Sequence, residues 1–332
     1  MSITFHKLIL ALCAFCVAGC AATAIQVPRL KPAEVNLGPV KKVAIGQIEG
    51  DGGEDVSDKL TEAIMATGKY EVLDRQHLAE IAKEKQIAAG DPSSAYGKVL
   101  GAAALIFGRV TQNSFQDQVA AEEKVCIQGS RSFPCTTYTR AGKHTTAVNF
   151  KIVDAATGKV LASQTVTGAA TDRREVQTSE AKVTDPKAAA RIIPPFEDLN
   201  NFRQVAIGDV VTLFMRLIAP YTVSVRVVLF EQSECPTSKA GVAAAKTGDW
   251  ATSISQFKAA VAVADSLADS KVMARAHYNL GVALGYSGSY RQGIAEIQKA
   301  IEVQAEDEFP EQVAAIRGFE ADDARLRAQT NP

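Results

Sequence analysis

Hydrophobic and polar positions recur along this chain at two periods, and a sequence of elements follows from them. Val40 to Ile48 reads as a strand, with Val43 and Ile45 on one face. A turn at Asp51, Gly52 and Gly53 leads into a helix over Val56 to Thr67. Val56, Leu60, Ala63 and Ile64 share one face of it at helical spacing, and Gly68 is a suitable stop. Tyr70 to Leu73 is a short strand. Asp74 can cap a second helix, with Leu78, Ile81 and Ala82 inward and Gly90 at its end. A brief helix near Ser94–Leu100 precedes a buried strand, Ala103 to Val110. Thr111 to His144 is polar and rich in turn residues, an insertion or an extended hairpin. Thr145 to Val153 alternates, turns at Ala156, Thr157 and Gly158, and returns as Lys159 to Val166. Residues 171–196 are charged and close on Pro194 and Pro195, which predicts a loop or mobile excursion. Asn201 to Ala219 is an amphipathic helix with a stripe of Phe202, Ala206, Val210, Leu213, Phe214 and Leu217. Tyr221 to Phe230 is a last strand. Residues 40–232 are thus expected to form an α/β domain with a mixed sheet.

After Cys235 the pattern becomes Ala-rich and helical, and it repeats. Gly241, Gly248, Trp250, Phe257 and Ala260 in one copy match Gly281, Gly288, Tyr290, Ile297 and Ala300 in the next, forty residues on. The offsets resemble the tetratricopeptide repeat, whose period is ~34 residues. That resemblance implies helix pairs that approach at the small residues, with the aromatic and the final Ala packed between them. Ser253 and Gly293 stand where that family usually has Ala. An all-α tetratricopeptide-like domain is expected over residues 236–308, and a terminal capping helix over 309–332.

The N-terminus is of another kind. Lys7 precedes an unbroken apolar run, Leu8 to Ala18. That run is too short for a hydrocarbon core, which takes roughly 20 apolar residues, and it fits a secretory signal over residues 1–19. It ends in Val17, Ala18, Gly19 and Cys20, which resembles the lipobox of bacterial lipoproteins. The resemblance implies cleavage before Cys20 and acylation of its thiol. Residue 21 is Ala rather than Asp, which in such lipoproteins favours the outer membrane, with the chain facing the periplasm. Residues 20–39, with Pro28, Pro32 and Pro39, read as a tether. The whole chain carries a formal charge of −1, and losing Lys7 with the signal changes this little. No basic field exists to attract nucleic acid. Of six cysteines, Cys126, Cys135 and Cys235 remain for an oxidising compartment. Cys126 and Cys135 flank a segment holding Gly129 and Pro134; the alternatives are a local disulfide and two free surface thiols.

Several segments in order carry a second resemblance: KKVAIGQIEG, LTEAIMATGKYEVLDRQHLAEIAKEKQ, LGAAALIFGRV and VNFKIVDAATGKVLAS. Together they resemble the curli production assembly/transport (CsgG-like) lipoprotein family over roughly residues 40–230. The family's best-known member is an oligomeric outer-membrane pore. That implies two barrel hairpins, near residues 112–145 and 166–198, and a channel-narrowing loop at Gln47 to Asp55. Asp117, Glu122, Glu123, Lys124 and Arg131 crowd the first region, and Asp172 to Glu175, Glu180 and Lys182 the second. Barrel strands instead alternate apolar residues outward over about 9–11 positions. Lipoproteins similar in this domain also serve as periplasmic assembly factors.

Catalytic signals are missing. His77, His144 and His277 fall in separate segments, without metal-ligand spacing, and no G-x-S-x-G elbow occurs. No cofactor, metal site or enzymatic activity is expected. Glu54, Asp55 and Asp58 read as a helix N-terminus favouring negative charge. The expectation is a membrane-anchored, protein-binding assembly or secretion factor. Its partners are the membrane, through lipid on Cys20, other envelope proteins and secreted cargo. The alternative is one subunit of a homo-oligomeric secretion channel.

Overall fold

The computed structural model describes residues 21–38, 40–73, 103–155, 157–179, 182–183 and 185–330. The signal, Cys20 and the helices expected at 74–90 and 94–100 lie outside the described residues. The chain forms two compact units, one of residues 32–221 with the last five residues, the other of residues 1–31 and 222–327.

The first unit is built on a five-stranded mixed sheet in the order β3-β2-β4-β5-β6. Its strands are β2 (Lys42–Glu49), β3 (Glu71–Leu73), β4 (Ala103–Gln128), β5 (Arg131–Asp154) and β6 (Val160–Thr178). β2 runs parallel to β3 and β4, while β4, β5 and β6 are antiparallel. Helices α1 (Gly53–Ala66) and α3 (Leu199–Ile218) share a core with this sheet. Val56, Leu60 and Ile64 of α1 and Val210, Phe214 and Leu217 of α3 meet Val43, Ile106, Val148, Phe150 and Ile152. Phe150 and Phe214 lie 4.3 Å apart, ring to ring. Gly168 is where β6 passes under α3: a Cβ there would sit 2.3 Å from the Ala206 carbonyl oxygen. Asp198 caps α3 by accepting from the Asn201 amide, and Pro220 follows its end.

β4 and β5 run far past the core as one continuous hairpin, the extended form of the polar insertion expected at 111–144. A bulge between Val110 and Gln112 shifts the register by one residue, so odd-numbered β4 residues beyond it share a face with even-numbered β5 residues. The loop expected over 171–196 is corrected. β6 continues through the charge run to Thr178, and a short helix, α2 (Pro186–Ile192), follows. The charges are compatible with a strand because alternate residues point to opposite faces. Arg173 pairs with Glu175, and Arg174 with Asp172.

The second unit joins β1 (Ala21–Lys31), β7 (Tyr221–Glu231) and helices α4 (Thr237–Lys246), α5 (Trp250–Ala264), α6 (Ser270–Tyr286), α7 (Tyr290–Val303) and α8 (Glu308–Thr330). Two expectations are corrected here. The segment read as part of a tether is a strand, and the strand assigned to the α/β sheet pairs with it in a separate two-stranded sheet. Ile25 and Val27 are buried while Gln26 and Pro28 are exposed, an alternation that the prolines hid. Proline is tolerated where a strand has a free edge. Ile25, Val27, Val227, Leu229 and Phe230 share a core with Tyr278, Tyr286, Phe309 and Phe319 of the helices.

Candidate functional site

The first unit offers two places where polar chemistry concentrates. One is the β2–α1 loop. Gly50 and Gly52 have φ of +97° and +85°, which only glycine adopts without strain. Asn113 Nδ2 donates to the Asp51 carbonyl at 3.1 Å and to its carboxylate at 2.7 Å. Arg203 pairs with Asp55 at 3.1 Å and Asp51 at 3.5 Å. His144, buried on β5, donates from Nε2 to Asn113 Oδ1 at 2.7 Å, and the Thr146 hydroxyl donates to the same oxygen. Burial first, and the Arg203 charge second, push the His144 imidazole below its ordinary range, with Asp51 opposing. His144 is therefore a neutral anchor for Asn113. The Asp51 and Asp55 carboxylates are engaged in holding the loop, while His144 Nδ1 and Arg203 Nε are buried without a hydrogen-bond partner among the described residues.

The other is the long three-stranded arm. One face is covered. Tyr138 packs on Ala189 and Ile193 and accepts from the Val183 amide at 2.7 Å. Arg140 is buried, gripping Asp117 at 2.8 and 2.5 Å and donating to the Ile193 carbonyl at 2.8 Å. The pair satisfies a charge that burial would otherwise penalise. A cavity of about 700 Å³ opens beside it, lined by Asp117, Tyr138, Arg140, Val183 and Ala189. The opposite face is exposed and polar, with Gln116, Gln118, Lys143, Thr167, Thr171 and Arg173. The outer edges of β6 and of β4 beyond Arg109 have no strand neighbour among the described residues. At the far end Cys126 and Cys135 form a disulfide, their Cα atoms 5.8 Å apart. Cys235 is a buried free cysteine of the other unit.

In the helical unit the matched repeat residues fall into two groups. Gly241 and Gly281 are close-approach positions: a Cβ on Gly241 would lie 2.6 Å from the Phe257 ring, and one on Gly281 would lie 2.6 Å from the Gly293 carbonyl oxygen. Gly248 and Gly288 have open space beside them and positive φ, so they turn the chain rather than admit a neighbouring helix. Phe257, Ala260, Ile297 and Ala300 are fully buried, and Trp250 lies 5.3 Å from the Tyr286 ring. Tyr290 donates to Asp323 and accepts from Arg29. Ser253 donates to the Gly241 carbonyl across the helix pair at 3.0 Å, which gives its hydroxyl a structural use. Sequence reasoning missed Asn279. Its amide accepts from the Phe230 N–H at 3.0 Å and donates to the Phe230 carbonyl at 2.7 Å. The Tyr278 hydroxyl donates to the Val228 carbonyl at 3.1 Å. Strand β7 is thus read by the helices through its main chain. A buried Asn in an apolar helix was the available signal.

The described residues hold no group of three or more metal-ligating side chains. No described helix is long and apolar enough to cross a membrane, which leaves strands unaddressed.

A mixed sheet with two helices in its core and a long antiparallel arm defines an α/β domain of the kind the sequence motifs anticipate. Residues 37–190 match the family model described as curli production assembly/transport component CsgG, and this part of the chain is a CsgG-like domain. Among solved structures, a minor lipoprotein from Acinetobacter baumannii is 14% identical, with a TM-score of 0.25 over 53% of this chain and 90% of that one. A PelC dodecamer from Paraburkholderia phytofirmans is 13% identical, with a TM-score of 0.25 over 60% and 99%. No curated protein matches the chain.

Proposed function

We propose that this chain is a lipoprotein of the outer membrane, acylated on Cys20 and facing the periplasm, that binds other envelope proteins or secreted cargo during assembly or secretion and performs no catalysis. The observation that carries this reading is a CsgG-like domain at residues 37–190 downstream of a signal ending in Cys20. The helix pairs that follow repeat their packing residues at tetratricopeptide-like offsets, and such repeats usually present protein-binding surfaces. β7 already occupies the helical surface at Tyr278 and Asn279. Partner contact therefore falls on the polar face and free edges of the long arm, where an extended segment can pair with the main chain. The arm's exposed face carries glutamines, threonines and charges rather than outward apolar residues, which supports a binding surface over a lipid-facing wall.

Two measurements test this reading. Labelled palmitate is expected to enter the wild-type chain and not Cys20→Ala, with the label in the outer-membrane fraction. Crosslinking the anchored chain in cells and isolating it is expected to recover envelope proteins, with recovery falling at least fivefold for Lys143→Glu/Arg173→Glu. Equal labelling of both chains refutes the anchor; recovery at background refutes the binding role.

A further inference from the structure

We propose that the tip of the β4–β5 hairpin is a lipid-surface contact that dips into one leaflet without crossing it. Val125 and Ile127 are the most exposed large apolar side chains of the described residues, at 71% and 78%. They are neighbours on one face of β4, opposite Pro134 and Ser132 of β5. Cys126 and Phe133 pair on the other face, beside the disulfide. The tip therefore presents apolar side chains on both faces, with the exposed polar residues Gln128, Ser130, Arg131 and Ser132 at and beside its turn. Scattered exposed aliphatics are ordinary on a soluble surface, but a cluster at the end of an arm marks an interaction site.

Three features favour a bilayer as the occupant. The strands stay paired with each other up to Gln128 and Arg131, and the outer edges of β4 and of β5 before Thr136, which have no strand neighbour among the described residues, stay hydrated only at headgroup depth. From Val125 to Cys135 the one charged residue is Arg131, a cation suited to anionic headgroups, while Lys124 pairs with Glu122 at 2.9 Å. The disulfide ties the two strands immediately below the turn and replaces two thiols with an apolar bridge. Length limits the depth. Val125 to Gln128 spans about 10 Å at ~3.4 Å per residue. That matches the headgroup and upper acyl region and falls far short of a ~30 Å hydrocarbon core. Glu122 and Glu123, exposed one step further down, set the stop.

This contact is independent of lipid on Cys20, so the test uses the unlipidated Cys20→Ser chain lacking residues 1–19, with its disulfide oxidised. It is mixed with vesicles of phosphatidylethanolamine and phosphatidylglycerol and floated through a density gradient. The chain is expected to float with the vesicles and to release no trapped dye. Val125→Asp/Ile127→Asp is expected to lower the floated fraction at least tenfold. Val125→Thr/Ile127→Thr, which keeps the β-branched shape and replaces one apolar branch with a hydroxyl, is expected to lower it at least threefold. Val119→Asp, lower on the same strand, is expected to float like the parent. Failure of the parent to float overturns the proposal and leaves the tip to a protein partner. Flotation of either double variant at the level of the parent, or dye release by the parent, overturns it as well.

Discussion

Asn279 shows what a single residue contributes to the helical unit. Its side-chain amide satisfies both main-chain groups of Phe230, and all four atoms are buried. Truncating it leaves a donor and an acceptor unpaired, each costing about 1–3 kcal/mol. Asn279→Ala is therefore expected to destabilise the helical unit by about 2–4 kcal/mol in urea unfolding, with the slope unchanged. Tyr278→Phe removes one hydrogen bond, to the Val228 carbonyl, and is expected to cost about 1 kcal/mol. If the two variants unfold at the same urea concentration, Asn279 is not the clamp on β7. His144 acts in the same structural way in the other unit. Its imidazole, held neutral by burial, fixes Asn113, which in turn fixes the β2–α1 loop. As a buried group with a lowered pKa, it contributes stability that is fully present above the unfolded value, near 6.5, and is lost as pH falls from there through its lower folded-state value.

At the scale of elements, close approach between backbones decides which small changes the fold accepts. Gly168 on β6 and Gly208 on α3 make a matched pair. A methyl on Gly168 would strike the Ala206 carbonyl and the Val210 amide, whereas Gly208 has open space. Gly168→Ala is expected to cost about 1–3 kcal/mol by forcing α3 off the sheet. Gly208→Ala is expected to gain about 0.5–1 kcal/mol, since it only improves a helix interior. Thermal melts of both variants check the pair, and a stabilised Gly168→Ala would contradict the contact. The sequence made elements legible where one periodicity ruled: β2, α1 and α3 show clean stripes, and α4 to α7 repeat theirs. It failed where polar residues were buried or strands carried charge. Asp117 read as one of the charges of a polar insertion and Arg140 drew no reading, because nothing local shows that they pair and that Ile193 lies against them. The run Asp172 to Glu175 read as loop, because charge suggests solvent whatever the backbone does. Gly248 and Gly288 were picked out by their repeat offsets, but their backbone role, a positive φ, cannot be read from the offset alone.

At the scale of the whole chain, the helical unit is discontinuous in sequence. It takes β1 from one side of the CsgG-like domain and β7 with the helices from the other. The strand alternation of residues 21–31 could not reveal this, because the partner strand lies about two hundred residues away and only tertiary pairing joins them. A division of the chain after Cys235 therefore severs one hydrophobic core. A fragment of residues 20–235 keeps Ile25, Val27, Val227, Leu229 and Phe230 but loses the helices that bury them. Each such side chain gains about 1.5–3 kcal/mol from full burial, so the fragment exposes on the order of 10 kcal/mol of apolar surface. A fragment of residues 32–221 exposes none of those five and retains the five-stranded sheet with α1 and α3. The shorter fragment is expected to be soluble and to unfold cooperatively, and the longer one to bind a hydrophobic dye and aggregate. Size-exclusion chromatography with dye binding compares them directly. Equal solubility and cooperativity would mean that β1 and β7 do not need the helices, contrary to the core they share. Truncations meant to remove the helical repeats from the intact protein should therefore remove β1 and β7 as well, so that a lost partner is not confused with a broken core.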